Sequence, residues 1–312
     1  MENYRRYFLK HLIRKTLDVK KLNKIIKDYN LQKKILKLKK KEKINYLKSF
    51  FGINLKDEKK INKKIINYSS IQCQNKRKYM EDRIIIDRYG DFYIFGVLDG
   101  HGGNQCVEYV KNNFFKEFLI NYYALKNKTI EYIIQFTIYQ LHQIFLLKTK
   151  LDDYSGTTLC LILFFKKKYY IINLGDSKCI FISNNKVKYK TKDHSPSDLN
   201  EKKRIVLNGG FVENNRILGR WLNISRTIGD KHLKDLISRK CDIKKGYIKD
   251  IKKYTILLTT DGMYEGKEFP KKKLINIINN KKTLKSKCNI ICDYCKTFST
   301  DNLSILILRF QQ

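Results

Sequence analysis

From about residue 67 the chain is written in short apolar runs separated by polar turns, the pattern of β-strands bounded by loops. Runs at 68–73, 83–87, 92–98, 158–165, 168–174, 178–183, 186–191, 254–260 and 302–310 predict strands. They pair like hairpins, with helices inserted rather than alternating, which predicts antiparallel sheets in an α+β fold. Helical spacing appears at about 104–124, where Val107, Val110, Phe114 and Phe118 share a face, and again at 128–148, 198–208 and 271–280. Cys288, Cys292 and Cys295 also lie on one face of a helix. No second ligand pair accompanies them, so they read as buried thiols rather than a zinc site.

Residues 1–66 differ in texture. They carry 22 Lys and Arg against 6 Asp and Glu, and Leu9, Ile13, Leu22, Ile25, Ile26, Tyr29, Ile35 and Leu36 recur at helical spacing. The pattern reads as one or two amphipathic helices with a lysine-rich solvent face. Alternative readings are peripheral attachment to an anionic membrane, nucleic-acid binding, or a mitochondrial address built on Arg5, Arg6 and Arg14. The expected organisation is a basic helical extension over 1–66 followed by one domain over 67–312.

Composition narrows the class without naming it. The 312 residues include 42% hydrophobic and 12% aromatic side chains, enough for a substantial core, so wholesale disorder is excluded. Apolar runs such as Leu159 to Phe165 are far shorter than the roughly 18 residues of a membrane-spanning helix. Eight cysteines are too sparse for a disulfide scaffold, which favours a reducing compartment, cytoplasmic or nuclear. The formal charge is +36, but 54 of the 66 basic residues are Lys, encoded by AT-rich codons. Phosphate-holding surfaces lean more on Arg, whose planar fork engages two oxygens. The charge therefore attracts anions without specifying one, and no nucleic-acid-binding motif accompanies it.

The scarce acidic residues carry more information. Asp99 follows the run Tyr93 to Leu98, Asp261 follows Tyr254 to Thr260, and Asp176 follows Tyr169 to Leu174. Asp301 precedes the last strand, and Glu81-Asp82 precede the strand that starts at Arg83. A single Asp-Gly pair is ordinary turn chemistry. Five strand ends bearing carboxylates are not. Carboxylates gathered in this way repel one another, and a hard divalent cation such as Mg²⁺ or Mn²⁺ relieves the repulsion.

These segments form an ordered series. Arg77-Lys78-Tyr79-Met80-Glu81-Asp82, Asp99-Gly100-His101-Gly102-Gly103, Ser155-Gly156-Thr157-Thr158 and Gly175-Asp176-Ser177 are followed by Asp193-His194, Gly209-Gly210 and Ser225-Arg226-Thr227-Ile228-Gly229-Asp230. Asp261-Gly262 and Asp301-Asn302 complete it. The series resembles the metal-dependent serine/threonine protein phosphatases of the 2C type, over about residues 67–310. The resemblance implies an α-β-β-α sandwich, two stacked antiparallel sheets flanked by helices, acting as a monomer on phosphorylated proteins. It implies a two-ion site in which Asp99 bridges, Glu81 and the Gly100 carbonyl complete one position, and Asp261 and Asp301 the other. Asp82 would stand behind them, and Asp176 would serve a third, weaker ion. Arg77 would hold the phosphate, and His101 would protonate the departing alkoxide while a metal-activated water attacks directly.

The chain departs from the family pattern before Arg77, where Ile71 to Lys76 is about two residues longer than usual. Gly219-Arg220-Trp221-Leu222 is one residue longer than usual, and Cys241-Asp242-Ile243 stands where a proline-led turn is usual. Trp221 either guards the cleft or packs. The long loop before Arg77 leaves one rival reading, a catalytically silent phosphoprotein-binding scaffold with the same fold.

Overall fold

The structure, a computed structural model, describes residues 66–311 apart from Leu151 and Glu268. The helical reading of the basic extension lies outside the described residues. Strands β1 (Ile66–Cys73), β2 (Arg83–Tyr89), β3 (Phe92–Leu98) and β4 (Gly100–His101) lead into helices α1 (Gln105–Ala124) and α2 (Ile130–Lys148). Next come β5 (Gly156–Thr157), β6 (Leu159–Phe165), β7 (Lys168–Leu174), β8 (Lys178–Ser183) and β9 (Lys186–Lys190). Helix α3 (Leu199–Leu207) precedes β10 (Val212–Glu213), β11 (Arg216–Ile217) and β12 (Ile228–Gly229). The last stretch holds β13 (Asp242–Tyr247), the single turn α4 (Ile248–Ile251), β14 (Thr255–Thr259), α5 (Lys271–Asn279), α6 (Leu284–Cys295) and β15 (Leu303–Phe310).

One antiparallel sheet runs β1-β15-β14-β8-β9 and the other β13-β7-β6-β3-β2. The central strands are apolar on both faces because both faces are covered. On β6, Leu159, Leu161 and Leu163 pack against Val107, Phe114 and Phe118 of α1. The alternate residues Cys160, Ile162 and Phe164 meet Ile256, Leu306 and Leu308 of the other sheet. Strand β15 turns Leu303, Ile305 and Ile307 outward to Ile278 of α5 and Ile291 and Cys292 of α6. The layers are therefore helix, sheet, sheet, helix, the α-β-β-α sandwich that the resemblance implied. Helices α2 and α6 start where Thr129 and Thr283 accept the backbone N–H groups of Tyr132 and Ser286.

The bounds of the long strands and helices follow the apolar pattern closely, with one omission in the two five-stranded sheets; the two-residue strands β4, β5, β10, β11 and β12 are too short to leave a pattern. Strand β13 was not legible because Asp242-Ile243-Lys244-Lys245-Gly246-Tyr247 has a mostly polar, exposed surface. It lies at the sheet edge beside β7, and edge strands carry charges that discourage further pairing. Cys288, Cys292 and Cys295 are buried on α6 with free thiols, as the spacing predicted.

Register decides where the acidic residues emerge. Arg83 pairs with Leu98, Val97 with Cys160, and Leu159 with Leu174, so residues 82, 99 and 175 leave one sheet at the same end. In the other sheet Thr259 pairs with both Ile305 and Lys178, so residues 260, 304 and 177 also leave together.

Candidate active site

At this shared end the carboxylates of Asp99, Asp176 and Asp261 have oxygen atoms within 4.8 Å of one another. Packing three such groups is electrostatically costly, and the pKa values record it. Burial first, and then Asp261, Asp82 and Asp176, hold Asp99 well above the usual carboxylate range. Asp176 is pushed up to about 7 by burial and by Asp261, with Lys178 opposing. Asp82 is also pushed up to about 7, by burial against a stabilising Thr260 hydrogen bond, with Asp261 and Asp301 adding to the rise. Asp301 reaches about 6 through burial and Asp261, against the pull of Arg77. Such mutual repulsion, with oxygen donors alone, suits a hard divalent cation.

Hydroxyl groups fix the Asp99 backbone and the Asp82 carboxylate. The Asp99 N–H donates to Thr158 Oγ1 at 3.0 Å, and that hydroxyl lies 2.8 Å from Ser177 Oγ, next to Asp176. Thr260 Oγ1 donates to Asp82 Oδ2 at 2.8 Å and accepts the Ser304 N–H at 2.9 Å. Glu81 Oε1 accepts the Gly103 N–H at 2.7 Å, which places it beside the Asp99–Gly103 turn rather than in the three-carboxylate group. Gly100 packs under the Glu81 carbonyl, where a β-carbon would come within 2.6 Å of that oxygen.

His101 lies in a small sheet of order β12-β5-β4, opposite Gly156, which in turn pairs with Gly229. This brings Asp230, the residue after β12, to His101: its Oδ1 is 2.8 Å from His101 Nε2. Asp230 is fully buried, and its other oxygen accepts the Thr227 hydroxyl at 2.5 Å. Burial disfavours the imidazolium, but Asp230, with Asp176 and Glu81 further off, outweighs it and holds the His101 pKa above its usual 6.5. Gly156 is the reason the pair can form. A β-carbon there would stand 2.1 Å from Asp230 Oδ2 and 2.4 Å from His101 Nε2. Gly156→Ala is expected to push the pair apart and to lower kcat by on the order of 10²-fold, the penalty of a misplacement of about 1 Å. Steady-state assays of the folded variant check this.

The loop before Arg77 is longer than the resemblance led one to expect, yet it is fastened. Asn302 Oδ1 accepts the Glu81 N–H at 2.7 Å, and its Nδ2 donates to the carbonyls of Gln74 at 2.8 Å and Tyr79 at 3.0 Å. Gln74 Nε2 donates to the carbonyls of Arg77 and Lys78. The half-exposed Arg77 guanidinium reaches Asp301 at 2.7 Å and lies 3.8 Å from Glu265. Glu265 Oε2 accepts the N–H groups of Thr300 and Asp301, both at 2.8 Å, and the Ser299 hydroxyl at 2.9 Å. Burial opposes the charged form of Glu265, but these donors and Arg77 prevail and keep its pKa below the usual range.

Sequence reasoning gave no role to Asp230, Asn302 or Glu265. The first two stand in the quoted motifs, where only a three-dimensional pairing reveals their work. The adjacent Asp193 and His194 turn to different partners. Asp193 binds Lys178 at 2.8 Å, whereas His194 lies 3.3 Å from Asp242 and accepts the Gly175 N–H.

A sequence-family model described as protein phosphatase 2C matches residues 66–302. The chain belongs to this family. It is 32% identical over 241 residues to "Probable protein phosphatase 2C 4" of Paramecium tetraurelia, covering 70% of this chain and 78% of that protein. It is also 32% identical over 225 residues to "Protein phosphatase 2C 1" of the same organism, covering 65% of this chain and 74% of the relative. The fold matches a serine-threonine phosphatase 2C from Toxoplasma gondii with a TM-score of 0.67 and 19% identity, over 79% of this chain and 95% of that one. Membership places the chain among the protein phosphatases, hydrolases that dephosphorylate proteins. Among the described residues no helix is long and apolar enough to cross a membrane.

Proposed function

We propose that residues 67–312 form a catalytic unit that hydrolyses phosphoserine and phosphothreonine in proteins with Mg²⁺ or Mn²⁺. The observation that carries this reading is the meeting of Asp99, Asp176 and Asp261 beside a histidine held by a buried aspartate. Asp99, Glu81 and the Gly100 carbonyl, together with Asp261 and Asp301, would hold two ions, with Asp82 behind them and Asp176 serving a weaker third. Bound ions lower the pKa of water and screen the charge of the phosphoryl group.

The chain's own residues supply orientation and protons. Arg77 reaches the same acidic edge and offers a fork of N–H groups to phosphate oxygens. A serine or threonine alkoxide is a poor leaving group, and His101 is placed to give it a proton, an effect on the order of 10²–10⁴ in rate. Asp230 favours the charged imidazole and holds its Nε2 in place. The silent-scaffold alternative was motivated by the long loop before Arg77. The fastening of that loop by Asn302 and Gln74 supports the catalytic reading instead.

With Mn²⁺ present, phosphate release is expected from peptides carrying phosphoserine or phosphothreonine. Release from a phosphotyrosine peptide alone would overturn the assignment.

A further inference from the structure

Three rings gather on the rim next to His101. Trp221 and His232 have centroids 4.5 Å apart, Tyr154 and His232 5.0 Å, and Tyr154 and Trp221 6.4 Å with planes only 15° from parallel. They are tied to the catalytic pair by the chain itself. His232 is two residues beyond Asp230, and the Tyr154 carbonyl lies against Gly102, where a β-carbon would approach it to 2.7 Å. Trp221 packs by one side against the small core of Ile205, Ile217, Leu233 and Ile237, whereas Tyr154 is 50% exposed, so the group presents an aromatic face to solvent. Both His232 ring nitrogens are shielded, with no hydrogen-bond partner among the described residues. Burial, against Asp230 and with His101, lowers the His232 pKa and so favours the neutral ring, which carries one donor and one acceptor.

We infer that Tyr154, Trp221 and His232 form a ledge that receives an aromatic or large aliphatic side chain adjacent to the phosphorylated residue of the substrate. The inference rests on the phosphoprotein reading above and adds a selectivity to it. One feature argues for an apolar rather than a basic neighbour. The Arg220 guanidinium already sits 5.5 Å from the Trp221 ring centre, where it occupies the place a cationic side chain would take on that ring. A flat apolar group instead gains ring contact and removes apolar surface from water.

The test uses phosphothreonine decapeptides with Ala on both sides of the phosphoresidue, or with Phe or Lys replacing one flanking Ala at a time. The full-length protein in Mn²⁺ is expected to show kcat/KM on the order of tenfold higher for one Phe peptide than for the Ala peptide, mostly through KM. Trp221→Ala and Tyr154→Ala are expected to bring that ratio close to one, and Trp221→Phe to retain part of it. Because the readout is a ratio within one protein, a general loss of folded enzyme does not mimic it. A ratio near one in the wild type, a ratio unmoved by both alanine variants, or a preference for Lys overturns the ledge and leaves the phosphatase reading standing. Hydrolysis of none of the peptides overturns both.

Discussion

Asp99→Asn is expected to abolish phosphatase activity, by on the order of 10³-fold or more, while making the metal-free protein more stable. The first effect follows from the central place of this carboxylate, which faces both Asp176 and Asp261 and is the residue expected to bridge two ions. The second follows from repulsion. Without metal, burial and the neighbouring Asp261, Asp82 and Asp176 oppose the ionisation of Asp99, and an amide removes that conflict at nearly constant shape. The pH dependence has a definite sign. Asp82 and Asp176 titrate near 7 and Asp301 near 6 in the folded chain, against 3.8 for a free aspartate. The folded state therefore holds protons that the unfolded chain has already lost. Their stabilising contribution is complete below about pH 4 and disappears as the pH rises through 6 to 7. In EDTA the melting temperature of the wild type should fall over this range, by on the order of 5 °C, and Asp99→Asn should flatten the decline. Adding Mn²⁺ should raise the wild-type melting temperature near neutrality and leave that of the variant nearly unmoved. Scanning calorimetry at pH 5 and 7.5 checks both statements.

His101→Gln is expected to reduce kcat on a phosphothreonine peptide by on the order of 10²–10⁴-fold, the usual worth of a positioned general acid. The loss should depend on the leaving group. An alkoxide needs a proton as it departs, whereas nitrophenolate leaves readily without one, so the same variant should lose far less on p-nitrophenyl phosphate. Asp230→Asn is expected to act in the same direction through His101. The raised pKa of His101 owes its direction to Asp230, against the effect of burial. Removing the carboxylate charge should move the alkaline limb of the kcat profile to lower pH. A uniform loss on both substrates with an unmoved profile would mean that the histidine only supports the turn.

The layered fold was legible because the central strands are apolar over lengths that only doubly covered sheets require, and Leu159 to Phe165 is such a stretch. The edge strand β13 was not, since its lysines face solvent and its place is set by pairing with β7. The clustered carboxylates could be read because acidic residues are rare here and stand at strand ends. Their convergence depends on register, which no single segment states: Asp99 and Asp261 come from different sheets. Asp230 was hidden for a related reason. Its partner is 129 residues away, and the only local hint is Gly156, whose missing side chain leaves room for the pair. Glu265 and Asn302 likewise act on backbone groups distant in sequence.

The most direct test of a metal-dependent phosphatase centred on this group is phosphate release from a phosphothreonine peptide by the full-length protein. It compares Mn²⁺, Mn²⁺ with excess EDTA, and Asp261→Ala in Mn²⁺. Turnover is expected in the first case alone. Equal rates for wild type and Asp261→Ala, or full activity in excess EDTA, would contradict it.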